Sequence, residues 1–114
     1  MSPDPDRVWK ALADGTRRAL LDLLARRPRT TGELCAHFAR PSAGGLGRTG
    51  VMKHLDVLVD ADLVLVRREG RRRWNHLNPV PIQRVCDRWV SRHVRDLARS
   101  ASRLKDLVEG RNRD

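Results

Sequence analysis

Between Arg48 and Asn75 the chain runs RTGVMKHLDVLVDADLVLVRREGRRRWN, a helical pattern that gives way to a strand pattern within a few residues. Val51, Leu55 and Leu58 recur at i, i+4 and i+7, so they share one helical face and point inward. Arg48, Thr49, Met52, Lys53 and Asp56 fall on the opposite face. Asp60-Ala61-Asp62 breaks the helix, and the β-branched, apolar run Leu63-Val64-Leu65-Val66 predicts a strand. Glu69-Gly70 predicts a tight hairpin turn, because glycine readily takes a positive φ. Five of the seven residues from Arg67 to Arg73 are arginine. A helix able to enter a major groove, beside a ribbon carrying Arg67, Arg68, Arg71, Arg72 and Arg73, suits duplex DNA.

The charge agrees. Among 114 residues, Lys and Arg number 24 against 14 Asp and Glu, a formal net charge of +10. Such a surface favours polyanions: DNA, RNA or an anionic membrane. Only Lys10, Lys53 and Lys105 are lysines. Codon usage in a high-GC genome accounts for that ratio as well as function does, but not for the net charge. With no Tyr and with Phe38 as the single Phe, a base-stacking RNA surface is disfavoured. A chain of this length predicts one domain, 1–114. Cys35 and Cys86 are far apart and make no CxxC pair, which fits a reducing compartment. MSPDPDRVW has no apolar signal core and no run approaches the ~20 residues that span a bilayer, so a soluble cytoplasmic protein with no membrane partner is expected.

The rest of the chain supplies helices. Asp4 and Pro5 open one over roughly 5–13, with Val8, Trp9 and Leu12 on a face. Asp14 caps a second that begins near Gly15, carries Ala19, Leu20, Leu23 and Leu24 inward, and stops at Pro28. Thr30-Thr31-Gly32-Glu33 has capping-box spacing and starts a third, with Leu34, Cys35 and Phe38 inward. Residues 40–47 form a turn rich in Gly, Pro and Ser. The fourth helix runs from about Arg48 to Asp60. After Pro79 and Pro81, apolar residues advance by three and four from Ile82 to Val108, which predicts one continuous helix over about 80–108. So small a domain cannot cover so long a stripe, and pairing with a second copy is the economical solution. The expected class is mainly α with a two-stranded ribbon, in the order α1-α2-α3-α4-β1-β2-α5, as a homodimer through the first and last helices.

The segments ALADGTRRALLDLL (11–24), GELCAHF (32–38), VMKHLDVLVDADLV (51–64) and RREGRRRWNHLNP (67–79), in this order and spacing, resemble the ArsR family of bacterial winged helix-turn-helix regulators. The resemblance covers most of the chain. It implies a homodimer that recognises an inverted-repeat operator and represses the promoter. TGVMKHLDVL followed by HLNPVPIQRVCDRWVS is most similar to a subgroup without the metal-sensing residues, whose genes often neighbour one for a START-like (SRPBCC) domain protein. The longer turn at 42–47 departs from the family pattern.

Site residues follow. Arg48 and Thr49 are expected to reach base edges, Met52 a thymine methyl, and Lys53 a phosphate. His54 has two readings, a backbone contact or support for helix packing. Arg71 and Arg72 are expected on phosphates or in the minor groove, with Arg68 beside them. Strand alternation turns Arg67 and Arg73 elsewhere, toward Asp residues. Thr16, Arg17 and Thr31 sit at helix starts, where backbone N–H groups attract phosphate. The expected dimer surface is Val8, Trp9, Val85, Trp89, Val90, His93, Leu97 and Leu104.

Two other readings compete: a basic module binding nucleic acid without sequence preference, and a metal-responsive repressor. Cys35 and His37 are competent ligands, but i and i+2 on a helix diverge by about 200°. His93 with Asp96 makes only part of an interchain site. No metal and no cofactor is expected, and the sequence names no effector. Enzyme chemistry is excluded on content: His37, His54, His76 and His93 are scattered, no nucleophile elbow or paired-carboxylate cleft is present, and Gly44-Gly45-Leu46-Gly47 lacks the Lys of a phosphate loop.

Overall fold

The first three helices each begin where a side chain satisfies a free N–H group. In the computed structural model, which describes residues 4–110, Asp4 Oδ1 accepts from the Asp6 backbone N–H at 3.0 Å. Pro5 occupies the first turn of α1 (Pro5–Leu12). Asp14 Oδ1 accepts from the Arg17 backbone N–H at 3.1 Å and starts α2 (Gly15–Arg26). Thr30 Oγ1 accepts from the Glu33 backbone N–H at 3.1 Å and starts α3 (Thr31–Ala39).

Arg17 and Arg18 turn back to the other end of α1. Arg17 Nε donates to the Ala11 carbonyl and Nη2 to the Lys10 carbonyl, each at 2.9 Å. Arg18 Nη1 donates to the Leu12 carbonyl at 2.7 Å. These carbonyls belong to the last turn of α1, where intrahelical donors run out and the helix dipole favours cations.

A turn containing a short 3-10 segment, Pro41–Ala43, follows α3. It reverses through Gly44 (φ 118°) and Gly45 (φ 64°), values that L side chains rarely adopt. Then α4 (Arg48–Asp60) buries Val51, Leu55 and Leu58 as the periodicity predicts. It ends in a Schellman closure. The Leu63 N–H donates to the Leu58 carbonyl and the Asp62 N–H to the Val59 carbonyl, both at 2.9 Å, with Asp62 at φ 61°. Asn78 Nδ2 donates to the Asp62 carbonyl at 2.8 Å and ties this corner to the end of the hairpin.

The hairpin is β2 (Val64–Glu69) and β3 (Arg72–Leu77), antiparallel, with Glu69 opposite Arg72. The turn is therefore Gly70-Arg71, one residue later than expected, with Gly70 at φ 59°. A third strand, β1 (Arg29–Thr30), pairs with β3 and gives the order β1-β3-β2. So short a segment shows no alternation of its own, and only its pairing with Asn75 and Trp74 makes it a strand.

Two compact units result, one ending at Ile82 and the other beginning at Gln83. The first holds a core of Val8, Leu20, Leu24, Leu34, Phe38, Val51, Leu55, Leu58, Leu63 and Val64. Leu21 takes the inward place expected for Leu23. Helical structure continues from α5 (Val80–Val85) through a π-helical stretch, Cys86–Val94, into α6 (Arg95–Gly110). The expected uninterrupted α-helix is thus widened in its middle. The stretch contains no Pro or Gly, the usual marks of a helix irregularity, and we have no physical account of it. Trp89, Leu97, Leu104 and Leu107 are exposed in the second unit, and no residue of α6 is buried.

Two expected dimer residues are largely covered within one chain. Val8 is 1% exposed and Val85 8%, so both are occupied within one chain. The amphipathic pattern placed them on an apolar face but could not say whose core that face enters.

The Arg17 backbone N–H, aided by the charge of the Arg17 guanidinium, holds the Asp14 carboxyl below the ordinary aspartate range. A carboxyl depressed in the folded state stabilises above its unfolded pKa, and the stabilisation is lost as pH falls through the folded value. Asp14→Ala is therefore expected to cost about 1 kcal/mol at neutral pH. In denaturant titrations its gap from the wild type should narrow only below the ordinary aspartate range.

Candidate nucleic-acid interface

The turn between α3 and α4 is pinned from within. The Leu46 N–H donates to the Phe38 carbonyl at 2.7 Å and the Gly45 N–H to the Arg40 carbonyl at 2.9 Å. Gly50, on the first turn of α4, lies so near Leu46 that a Cβ would meet its Cδ2 at 3.3 Å. The start of α4 is thereby seated on the end of α3.

Beside it lies a groove of about 580 Å³. One wall is the start of α3, with Thr31, Gly32 and Glu33. Arg48 and Met52 enter from α4, and Arg68, Arg71, Arg72 and Arg73 from the hairpin. The sheet register accounts for two of the four hairpin arginines. Arg68 lies opposite Arg73, on the face that carries Val64 and Asn75.

The expected site residues do not all lie in the groove. Arg73 lines the groove rather than facing an Asp, and its Nε is shielded from solvent without a hydrogen-bond partner among the described residues. Arg67 lies on the opposite face, with Nε 3.6 Å from Glu69 Oε1. Thr49 and Lys53 are exposed on α4 but do not line the groove. Thr31 is 5% exposed and its Oγ1 accepts from Asn75 Nδ2 at 3.1 Å, so its hydroxyl is turned inward and Thr30 does the capping. Thr16 is half-buried, and the Asp14 carboxylate already takes up the start of its helix. Arg17 is committed to the α1 carbonyls. His54 is half-buried, with Nδ1 3.4 Å from Arg17 Nη1 and 3.9 Å from Asp14 Oδ1, which favours the packing reading.

Glu33 is the one acid among the groove-lining residues. Arg27 Nη2 donates to its Oε2 at 2.9 Å and is the main reason its carboxyl stays below the ordinary glutamate range. The groove remains strongly positive at neutral pH.

Asn75 escaped the sequence reading. It is fully buried in β3, and its Nδ2 donates to the Arg29 carbonyl and to Thr31 Oγ1, both at 3.1 Å. One amide thus ties the hairpin to β1 and to the start of α3. The available signal was a polar residue at an inward strand position.

Cys35 and His37 are both half-buried, and His37 packs edge-on against Phe38 with ring centroids 4.9 Å apart. Among the described residues, no three His, Cys, Asp or Glu side chains gather to hold a metal ion, and no helix is long and apolar enough to cross a membrane.

Comparison with known proteins now adds to this geometry. Residues 12–67 match the model of a helix-turn-helix domain. The chain is 45% identical over 75 residues to the HTH-type transcriptional regulator Rv2034 of Mycobacterium tuberculosis, a match that spans 66% of this chain and 64% of that protein. It is 31% identical to the transcriptional repressor SdpR of Bacillus subtilis, over 68% of this chain and 80% of that one. Among solved structures it is similar to the ArsR family transcriptional regulator RHA00566, at a TM-score of 0.68 and 30% identity, covering 82% of this chain and 94% of that one. It also resembles the homodimeric winged helix-turn-helix DNA-binding domain Mb0332 of Mycobacterium bovis, at a TM-score of 0.56 and 32% identity, covering 77% and 82%.

Removing the buried amide should loosen the wall it ties. Asn75→Ala is expected to cost about 1–3 kcal/mol in chemical denaturation, since it strands a buried carbonyl and hydroxyl. A cost below about 0.5 kcal/mol, the range of an ordinary surface change, would contradict that role.

Proposed function

We propose, since the chain belongs to the ArsR family of winged helix-turn-helix transcriptional regulators, that it is a sequence-specific repressor acting as a homodimer on an inverted-repeat operator. The observation that carries this reading is the groove in which Arg48 and Met52 of α4 meet four hairpin arginines. Arg48 reads guanine through O6 and N7, and Met52 packs on a thymine methyl. Thr49 and Lys53, exposed beside them, contact base or backbone. Arg68, Arg71, Arg72 and Arg73 neutralise phosphates or follow the minor groove. A shielded donor without a hydrogen-bond partner among the described residues, such as Arg73 Nε, favours an acceptor supplied by the ligand.

Pairing of two copies is supported by the exposed apolar residues Trp9, Trp89, Leu97 and Leu104. Val90 and His93 complete the proposed surface, with Val8 and Val85 contributing the little of each that one chain leaves exposed. The homodimeric Mb0332 domain supports the same assembly. Two reading heads then lie about one duplex turn apart. Because Cys35 and His37, two residues apart on α3, diverge by about 200° around the helix, we favour the subgroup without metal sensing, whose genes often neighbour one for an SRPBCC protein. Its place of action is the cytoplasm, at the promoter.

Selection of bound sites from random duplexes tests the reading. The winning sequence should be palindromic and bind ~10³-fold or more above random DNA. On that duplex Arg48→Ala should cost about 1–3 kcal/mol and relax the preference at one position. Arg72→Ala should weaken all duplexes alike and flatten the salt slope by ~1. Equal binding of every duplex would favour the non-specific basic module instead. In sedimentation, Leu97→Glu combined with Leu104→Glu should give a monomer whose operator affinity is lower by on the order of 10² or more, the usual gain from linking two modules.

A further inference from the structure

The guanidinium of Arg17 joins three helices. Besides its bonds to the Lys10 and Ala11 carbonyls of α1, its Nη1 lies 3.4 Å from Nδ1 of His54 on α4. A guanidinium can only donate, so in this contact His54 Nδ1 is the acceptor. Asp14, the cap of α2, stands beside them, with Oδ1 3.9 Å from His54 Nδ1. His54 follows Met52 by two residues, about 200° around the helix. The contact therefore grips α4 from behind while Arg48 and Met52 face the groove.

We infer that Arg17 and His54 are positioning residues that set the rotation of α4 about its own axis, and through it the register of Arg48 and Met52 on the bases. The inference rests on the DNA-binding reading above. Neither side chain touches DNA in this role. The planar fork of Arg17 is what lets one side chain hold two carbonyls and a ring nitrogen together, and a lysine ammonium on its flexible stem lacks that geometry. Rotation matters because base edges are read by paired hydrogen bonds, which fail when the helix turns, whereas phosphate contacts tolerate the change.

The test compares His54→Ala with His54→Asn. Asparagine puts an acceptor oxygen near the place of Nδ1, and alanine puts nothing there. Arg17 keeps its hold on α1 in both, so both should fold. In the free protein, amide hydrogen exchange along α4 should quicken in His54→Ala and stay near wild type in His54→Asn. On the duplex selected by the wild type, His54→Ala should lose about tenfold in affinity, the equivalent of one hydrogen bond to a charged donor. Its affinity for a random duplex and its salt slope should stay unchanged, and His54→Asn should recover most of the loss.

Equal exchange in both variants, or an asparagine variant as impaired as the alanine one, would overturn the inference. So would a loss shared by both duplexes with a salt slope shallower by ~1, the mark of a direct phosphate contact. A wild type that prefers no duplex would bring down the regulator reading, while the exchange comparison would still judge the seating of α4.

Discussion

Guanidinium groups repel one another, yet Arg48, Arg68, Arg71, Arg72 and Arg73 line a single groove. Near a protein surface two like charges 4 Å apart oppose each other by about 4 kcal/mol, and salt screens this over about 10 Å. The convergence therefore costs free energy in the unbound protein, and the scaffold must offset it. Glu33 cannot do so, because Arg27 already holds its carboxylate. A polyanion in the groove turns the same arrangement from repulsive to attractive and releases its counterions.

What holds the walls in place is a small number of polar ties over an apolar core. Asn75 fastens β3 to β1 and to the start of α3. Asn78 fastens the end of the hairpin to the αL corner after α4. The Leu46 and Gly45 amides close the turn onto α3. Beneath them Leu34, Leu55, Leu58 and Leu63 are fully buried. The charged tip at Gly70-Arg71 makes no contribution to that core, so its arginines are free to serve a ligand.

Much of the fold was legible because its signals are local. Asp14 and Thr30 cap the helices that their positions announce. Val51, Leu55 and Leu58 face inward by period alone. Of the arginine run around Gly70, Arg68, Arg71, Arg72 and Arg73 line the groove. The misses are side chains whose partners lie far along the chain. Arg17 stands at a helix start, where phosphate and a neighbouring helix end are equally good acceptors, and only the packing of α1 decides between them. Thr31 and Asn75 find each other across 44 residues. Arg73 lines the groove because it shares a strand face with the buried Asn75 two residues on, with Arg68 opposite it.

The central claim is that duplex DNA lies in the groove between α4 and the hairpin. Titrating a selected duplex into isotope-labelled protein, with backbone and arginine side-chain resonances followed by NMR, tests it most directly. The largest shifts should fall on Gly32, Arg48, Met52 and residues 68–73, with Arg73 Nε among them. Shifts confined to the opposite sheet face around Leu65 and Arg67, or to the helix from Arg95 to Gly110, would contradict it.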